Sequence, residues 1–114
     1  MTWSARLAEL GLTLPAVATP AGAYVPAVRS GSQVFTAGQL PLVGGSLAAT
    51  GKLGAEIDVR RGQELARTCA LNALAAVDAL AGLDAVQQVV KVVGFVASAP
   101  GFSDQPAVLN GASE

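Results

Sequence analysis

Residues 33–41 read QVFTAGQLP, an apolar strand that runs directly into a Thr-Ala-Gly-Gln-Leu-Pro corner. Residues 23–29 offer this strand a partner across a Ser30-Gly31 turn, where Gly accepts positive φ at little cost. A corner with a Gly and polar backbone at a strand end lets a ligand approach the chain closely. The stretch therefore predicts a β-hairpin, with its second strand over residues 32–37, that ends at a small-molecule site.

Two helices are delimited by capping residues. Thr2 and Gly11 bound a short amphipathic helix near the N-terminus, and Asp58 and Gly82 bound a long helix over residues 59–81. Apolar side chains of the long helix recur at three- and four-residue steps, which predicts one buried face. The residues of that predicted face are Leu65, Cys69, Ala73, Val77 and Leu80.

The rest of the chain carries loop, strand and helix signals in turn. Residues 15–22 form a Pro- and Gly-rich connector, and residues 43–53 read as a loop or a weak β excursion. Residues 86–98 are β-branched and almost continuously apolar, which predicts a central strand covered on both faces, with Lys91 at an edge or cleft. A last helix begins near Pro106. This order predicts an α+β fold with helices over one face of a mixed sheet.

The composition indicates one domain that associates with copies of itself. The chain has 114 residues, of which 7 are basic and 8 acidic, so that 13% are charged. Typical soluble domains carry roughly 25% charged residues. Because a domain of this size has a large surface relative to its volume, so few charges cover it thinly. We therefore expect an oligomer.

The charge, the length of the apolar runs and the His and Cys counts disfavour several classes of function. The net charge of −1 gives no basic footprint for nucleic acid, and no apolar run reaches the roughly 18 to 20 residues that a membrane span needs. The N-terminus does not read as a secretory signal. With no His and the single Cys69, we expect no metal centre and a cytoplasmic location.

The residues that commonly carry catalysis are scarce. Without His, neither a Ser-His-Asp triad nor a Cys-His pair can form. Cys69 lies on the apolar face of the long helix, where core packing is the favoured interpretation. Glu56, Asp58 and Glu64 flank the start of that helix, and capping or interaction with the helix dipole is favoured over an acid–base role.

Several segments, taken together and in order, resemble the YjgF/RidA/UK114 family, in particular its branch with an extra N-terminal helix. The resemblance runs from residue 19 to the end of a single domain over residues 1–114, in which residues 1–18 form the N-terminal helix and linker. It implies a chorismate-mutase-like α+β fold, assembled as a homotrimer with ligand clefts between neighbouring subunits. The segments that carry it are residues 22–25, 35–41, 82–83, 89–96, 102 and 108–110.

The resemblance also implies a reaction. Well-characterised members of the family hydrolyse reactive enamines and imines to 2-keto acids and ammonia, and require no cofactor. An Arg in those members clamps the substrate carboxylate through two hydrogen bonds, and a Glu helps to place the attacking water. Both lie on strands that follow the last helix. We therefore expect them beyond Glu114, and expect the C-terminal strands of the family to be absent from residues 1–114.

Four residues match positions that line the family's cleft. Tyr24 matches a cleft Tyr, Gly38 a corner Gly whose backbone approaches the ligand, and Asn110 a helix Asn. Structural alternatives are a half-buried strand aromatic, a purely conformational Gly and a local cap. Ala37 stands where deaminases often carry Ser, so a hydroxyl contact is lost. This leaves two functions open, a deaminase of small carboxylated imines and a non-catalytic binder of a small metabolite. Ribonuclease activity or inhibition of translation, which the resemblance also suggests, is disfavoured by the near-neutral charge and the scarce aromatic residues.

Overall fold

Residues 2–114, which the computed structural model describes, form three α-helices, four short strands and one 3-10 turn. No helix among them has both the length and the apolar character to cross a membrane. The elements in chain order are α1 (Trp3–Glu9), β1 (Ala27–Ser30), β2 (Gln33–Thr36), β3 (Leu42–Val43), β4 (Ser46–Leu47), α2 (Val59–Ala81), the 3-10 turn (Leu83–Ala85) and α3 (Gln105–Ser113). The long helix α2 lies at the centre, in contact with α3, both strands of the first hairpin, β3 and the 3-10 turn.

The predicted hairpin at the start of the fold is confirmed, with shorter strands. β1 and β2 pair in antiparallel fashion around residues 31 and 32. The turn lies one residue later than the predicted Ser30-Gly31, because Ser30 still belongs to the ladder. Residues 23–26 stay outside the strand, since Pro26 has no N–H to donate to a neighbour.

A second, smaller hairpin follows the corner. Leu42 pairs with Leu47 and Val43 with Ser46. The two residues between the strands are both Gly, with φ of 60° and 85°, and this left-handed backbone favours Gly. The predicted loop or weak β excursion after residue 43 is therefore a tight hairpin whose first strand begins one residue earlier.

The ends of the helices agree with the predicted caps. The Thr2 hydroxyl and the Asp58 carboxylate each accept a hydrogen bond from an amide of the first turn that follows. α2 ends at Gly82, as predicted. α3 begins at Gln105, and its N-cap Asp104 makes no side-chain hydrogen bond. Side-chain capping thus marks the starts of α1 and α2, whereas α3 begins without a capping bond and is marked by Pro106 in its first turn.

The buried face of α2 differs from the predicted one. Its buried residues are Gly62, Asn72, Ala75 and Ala76, whereas Leu80 of the predicted face is 45% exposed. The other predicted residues are only half-buried. Small side chains dominate the buried face because the neighbouring elements approach the helix axis closely.

α2 and α3 pack at short range through two glycines. A Cβ on Gly111 would lie 2.1 Å from the Gln63 carbonyl oxygen, and a Cβ on Gly62 would lie 3.2 Å from a methyl of Val108. Val108 completes this contact and belongs to the core. The core consists of Leu53, Ile57 and Val108, with Ala49, Val59, Leu65, Val96 and Phe102 packed around them.

The predicted central strand over residues 86–98 is wrong. In the described chain, residues 86–97 belong to no helix or strand, and Ser98 forms one isolated bridge with Leu53. β-Branched residues favour an extended backbone, but a strand also requires a hydrogen-bonded neighbour, and each hairpin pairs within itself. The expected mixed sheet is therefore replaced by two two-stranded sheets within residues 2–114. Lys91 is exposed on this unpaired segment.

The apolar side chains of the unpaired segment face solvent. Their exposed fractions range from 57% for Val92 to 94% for Phe95. Patches of this kind on soluble proteins commonly mark surfaces that bind another chain or segment. The segment comprises Val89, Val90, Val92, Val93 and Phe95, and is called the exposed valine segment below.

Candidate functional site

The corner after β2 comprises residues 37–41, which belong to no helix or strand. The Ala37 amide donates to the Pro26 carbonyl at 2.8 Å, which extends the pairing of the first hairpin by one bond. The chain then leaves the hairpin and borders a small cleft of about 20 Å³, close to the volume that one water requires. Its lining comes from the connector, the corner and the second hairpin: Ala18, Thr19, Pro20, Ala21, Tyr24, Pro26, Gly38, Gln39, Leu40 and Leu42.

Gly38 leaves the backbone of the corner open. No heavy atom lies within 4 Å of the position that a Cβ would occupy. Gly38 is also not among the glycines with positive φ, so its backbone conformation does not require Gly. Neither the space around residue 38 nor its φ requires Gly in this structure, and close approach of a ligand to its backbone stays a prediction.

Tyr24 stands at the mouth of the same cleft. Its side chain is 47% exposed, and its hydroxyl accepts a hydrogen bond from the Ala21 amide at 3.2 Å. The ring lies against Gly22, since a Cβ there would be 3.3 Å from Tyr24 Cε1. The Tyr24 hydroxyl is thus held near the corner while its proton is still available to a ligand.

Ala37 contributes little polar chemistry to the corner. Its methyl group cannot hydrogen-bond, and its amide is already bonded to Pro26. The Leu40 carbonyl already accepts from the Leu42 amide and from Asn72, so the hydrogen-bonding groups left at the cleft are the backbone of residues 38 and 39, the Gln39 side chain and the hydroxyls of Thr19 and Tyr24. These groups are hydrogen-bond donors and acceptors that can hold a small polar ligand.

Asn72 is a residue of the site that sequence reasoning missed. Its side chain is 2% exposed, and its Nδ2 donates to the carbonyls of Leu40 and Leu42, each at 3.1 Å. These two bonds attach the end of the corner to the middle of α2. The sequence did carry a signal, because Asn72 is the single amide side chain within the apolar run of residues 69–77. A polar side chain buried on such a face needs hydrogen-bond partners, which indicates a specific contact.

Asn110 lies in a different cleft, between α2 and α3. This cleft has a volume of about 250 Å³. Among its charged groups, Glu64 pairs with Arg61 at 2.8 Å. Within residues 2–114, Arg60 and Arg67 have no carboxylate within 4 Å. The lining residues are Arg60, Gln63, Glu64, Arg67, Asn110, Gly111 and Glu114.

The four predicted site residues therefore divide between two places in one chain. Tyr24, Ala37 and Gly38 meet at the corner, and Asn110 lines the cleft between the helices. A cleft that combines all four would need contributions from neighbouring subunits, as the family resemblance implies. That combination stays a prediction.

Other ionisable groups near α2 have structural partners. Hydrogen bonds from its own amide and from that of Lys52 lower the pKa of Glu56, whose carboxylate closes the loop before α2. Asp58 is the N-cap. Burial raises the pKa of the Cys69 thiol, which makes it a poor nucleophile and agrees with a packing role. Within residues 2–114, no three His, Cys, Asp or Glu side chains are grouped closely enough to hold a metal ion.

The family of the chain follows from comparison with known sequences. A family described as "YjgF/chorismate-mutase-like, putative endoribonuclease" matches residues 4–114. The chain belongs to the YjgF family. The resemblance seen in the sequence is thereby confirmed, and the α+β fold is that of this family.

Relatives of this YjgF-family chain are longer than the chain itself. It is 48% identical to Protein TCP17 of Trypanosoma cruzi, over 97% of the chain and 70% of that protein. A crystal structure of Atu1372, a protein of unknown function from Agrobacterium tumefaciens, is 47% identical with a TM-score of 0.84, over 96% of this chain and 67% of that one. A protein described as a "putative endoribonuclease" from Shewanella oneidensis is 35% identical with a TM-score of 0.88, over 99% of this chain and 76% of that one.

Proposed function

We propose that the protein is an enamine/imine deaminase, which hydrolyses reactive 2-enamine or 2-imino acids to 2-keto acids and ammonia. The observation that carries the proposal is the open backbone at Gly38, beside the Tyr24 hydroxyl, in a chain of the YjgF family. Water adds to the C=N carbon of the imine, and loss of ammonia from the resulting carbinolamine leaves the 2-keto acid. The reaction needs a positioned water and a bound substrate, and the residues proposed here act without a cofactor.

The corner would act as one wall of the binding cleft. Backbone groups of residues 38 and 39 and the Tyr24 hydroxyl can bind the polar atoms of a small imino acid, and the two bonds from Asn72 hold that wall in place. Holding the substrate in a fixed geometry is itself a large part of the rate enhancement of such a reaction. We propose that the Arg and Glu implied by the resemblance belong to the opposite wall and follow Glu114 in the full-length protein.

We further propose that the active protein is a homotrimer in the cytoplasm, with the cleft between subunits. The exposed valine segment supports the assembly, because its apolar side chains would be buried by a second copy. The single Cys69 suits a reducing compartment. The division of the predicted site residues between two clefts of one chain also suits a site completed by a neighbour.

The reaction can be tested with imino acids generated in situ by an amino acid oxidase. We expect the full-length protein to accelerate formation of the 2-keto acid, and the Gly38→Val variant to lose most of this acceleration because its side chain fills the open approach to the backbone. Ala16→Val, a change at an exposed position of the connector, is the matched control. Formation of 2-keto acid at the uncatalysed rate would contradict the deaminase proposal.

The second candidate is a non-catalytic member that binds a small carboxylated metabolite. It is favoured by Ala37, whose methyl group and occupied amide leave the corner without the hydroxyl that deaminases often carry. The same preparation can be titrated calorimetrically with 2-oxobutanoate. Saturable binding that Gly38→Val abolishes, without turnover of imino acids, would select the binder. Ala37→Ser should then strengthen binding, since it returns the hydroxyl.

A further inference from the structure

α1 has few apolar contacts to hold it in place. It has seven residues and none of them is buried, and Trp3 and the adjoining Leu10 are 47% and 50% exposed. Among the regular elements within residues 2–114, it contacts only the 3-10 turn. Isolated helices this short are unstable in water. The folded state of α1 must therefore depend on specific contacts with the rest of the chain.

Those contacts come from residues about 80 positions away. The Asp84 carboxylate accepts hydrogen bonds from both the amide, at 2.8 Å, and the hydroxyl of Ser4. The indole Nε1 of Trp3 donates to the Val86 carbonyl. Because the first amides of a helix lack internal partners and carry its positive dipole, a carboxylate at this end is favourable. These three hydrogen bonds are called the α1 clasp below.

The other side of the clasp is attached firmly to the core. The Leu83 amide donates to the Asp78 carboxylate at 2.9 Å, and the Leu83 side chain is only 5% exposed. Asp78 belongs to α2, so the 3-10 turn that carries Asp84 is anchored to the central helix. The 3-10 turn is firmly anchored, whereas α1 is weakly packed. We therefore expect α1 to detach from the 3-10 turn before other parts of the chain unfold.

We propose that α1 is a latch, which opens as a local unit by breaking the clasp and, when closed, ties Val86, three residues before the exposed valine segment begins, to the N-terminal helix. Opening frees residues 2–10 and the Val86 carbonyl while α2 and α3 stay folded. Local units of low stability are common in proteins and are detected by hydrogen exchange. This inference does not depend on the proposed reaction.

The electrostatics of Asp84 agree with this role. Hydrogen bonds from the Ser4 hydroxyl and amide, and to a smaller extent from the Trp3 amide, lower its pKa. The groups of α1 that face the carboxylate are thus neutral donors, and the charged pair of that helix, Arg6 and Glu9, is joined to itself at 3.4 Å. Protonation of Asp84 removes the charge that these donors stabilise and weakens the clasp.

Trp3 makes the latch directly measurable, because it is the single tryptophan of the chain. Asp84→Ala removes the acceptor, and Trp3→Phe removes the indole donor while keeping an aromatic ring. We expect amide exchange in residues 5–10 to become at least about tenfold faster in both variants, with exchange in α2 unchanged. In Asp84→Ala the Trp3 emission should also shift to longer wavelength. Asp104→Asn, which alters a carboxylate that makes no capping hydrogen bond within residues 2–114, is the control.

Acid should open the same latch in the wild-type protein. Since the folded-state pKa of Asp84 lies below its unfolded value, the stabilisation is complete above the ordinary carboxyl pKa and is lost as pH falls through the lowered one. The Trp3 emission should follow this loss, and Asp84→Asn should show no such transition. Unchanged exchange of α1 in Asp84→Ala and Trp3→Phe, or loss of α2 protection together with α1, would overturn the latch.

Discussion

Asn72 is the side chain that connects the candidate site to the core. Both hydrogens of its amide group are used by backbone carbonyls of the corner, and it is the only buried polar side chain found within residues 2–114. Sequence reasoning located Gly38 because a corner after a strand is a local signal. It missed Asn72 because the partners of this amide lie about 30 positions away.

Replacing Asn72 with Leu should destabilise the protein. The change keeps the approximate volume but leaves the Leu42 carbonyl without its side-chain donor, which costs about 1–3 kcal/mol. The free energy of unfolding can be measured with urea. Asn110→Leu is the matched control, because Asn110 is exposed and makes no side-chain hydrogen bond within the described chain. Equal stability of the two variants would show that the bonds from Asn72 contribute nothing.

At the scale of elements, local signals predicted the helices and the first hairpin, but not the second hairpin or the partners of an extended segment. Caps such as Thr2 and Asp58 act within one turn, so they can be read directly from neighbouring residues. The valine-rich run over residues 86–98 has the composition of a strand, but strand formation depends on a second backbone elsewhere. The buried face of α2 was misplaced for a related reason, since small residues such as Ala75 mark close packing that periodicity of large side chains does not reveal.

The contact between α2 and α3 gives a sharp test of that close packing. Where a helix has free space around the new methyl group, replacing Gly with Ala raises the stability of the helix by about 1 kcal/mol. At Gly111 the new methyl would lie 2.1 Å from the Gln63 carbonyl oxygen, so the helices must separate. We expect Gly111→Ala to destabilise the protein by about 1–3 kcal/mol, as overpacking does. Thermal unfolding measures this, with Ser113→Ala at an exposed position of α3 as the control, and a more stable Gly111→Ala variant would contradict the packing described.

At the scale of the whole molecule, the exposed valine segment and the low charge content point to the same conclusion. The segment presents apolar side chains to solvent on an unpaired backbone, and 15 charges cover the surface of 114 residues. Either feature alone is tolerated in soluble proteins, but together they favour burial against a further chain. The oligomer that the composition predicts stays a prediction, and the exposed valine segment is the surface at which it can be tested.

Phe95 is the residue at which the assembly can be tested without disturbing the single chain. Its side chain is 94% exposed, so Phe95→Asp removes no packing within one subunit. If an assembled neighbour covers the ring, each contact loses about 1.5–3 kcal/mol, which corresponds to an affinity about tenfold to a hundredfold weaker. Light scattering on a sizing column should then give about three times 11.3 kDa for the wild-type chain and 11.3 kDa for Phe95→Asp at the same micromolar concentration.

Val17→Asp, at an exposed apolar position of the connector, should assemble as the wild type does. A Phe95→Asp variant with the wild-type mass would exclude this segment from the interface, because a carboxylate cannot be buried there without a partner.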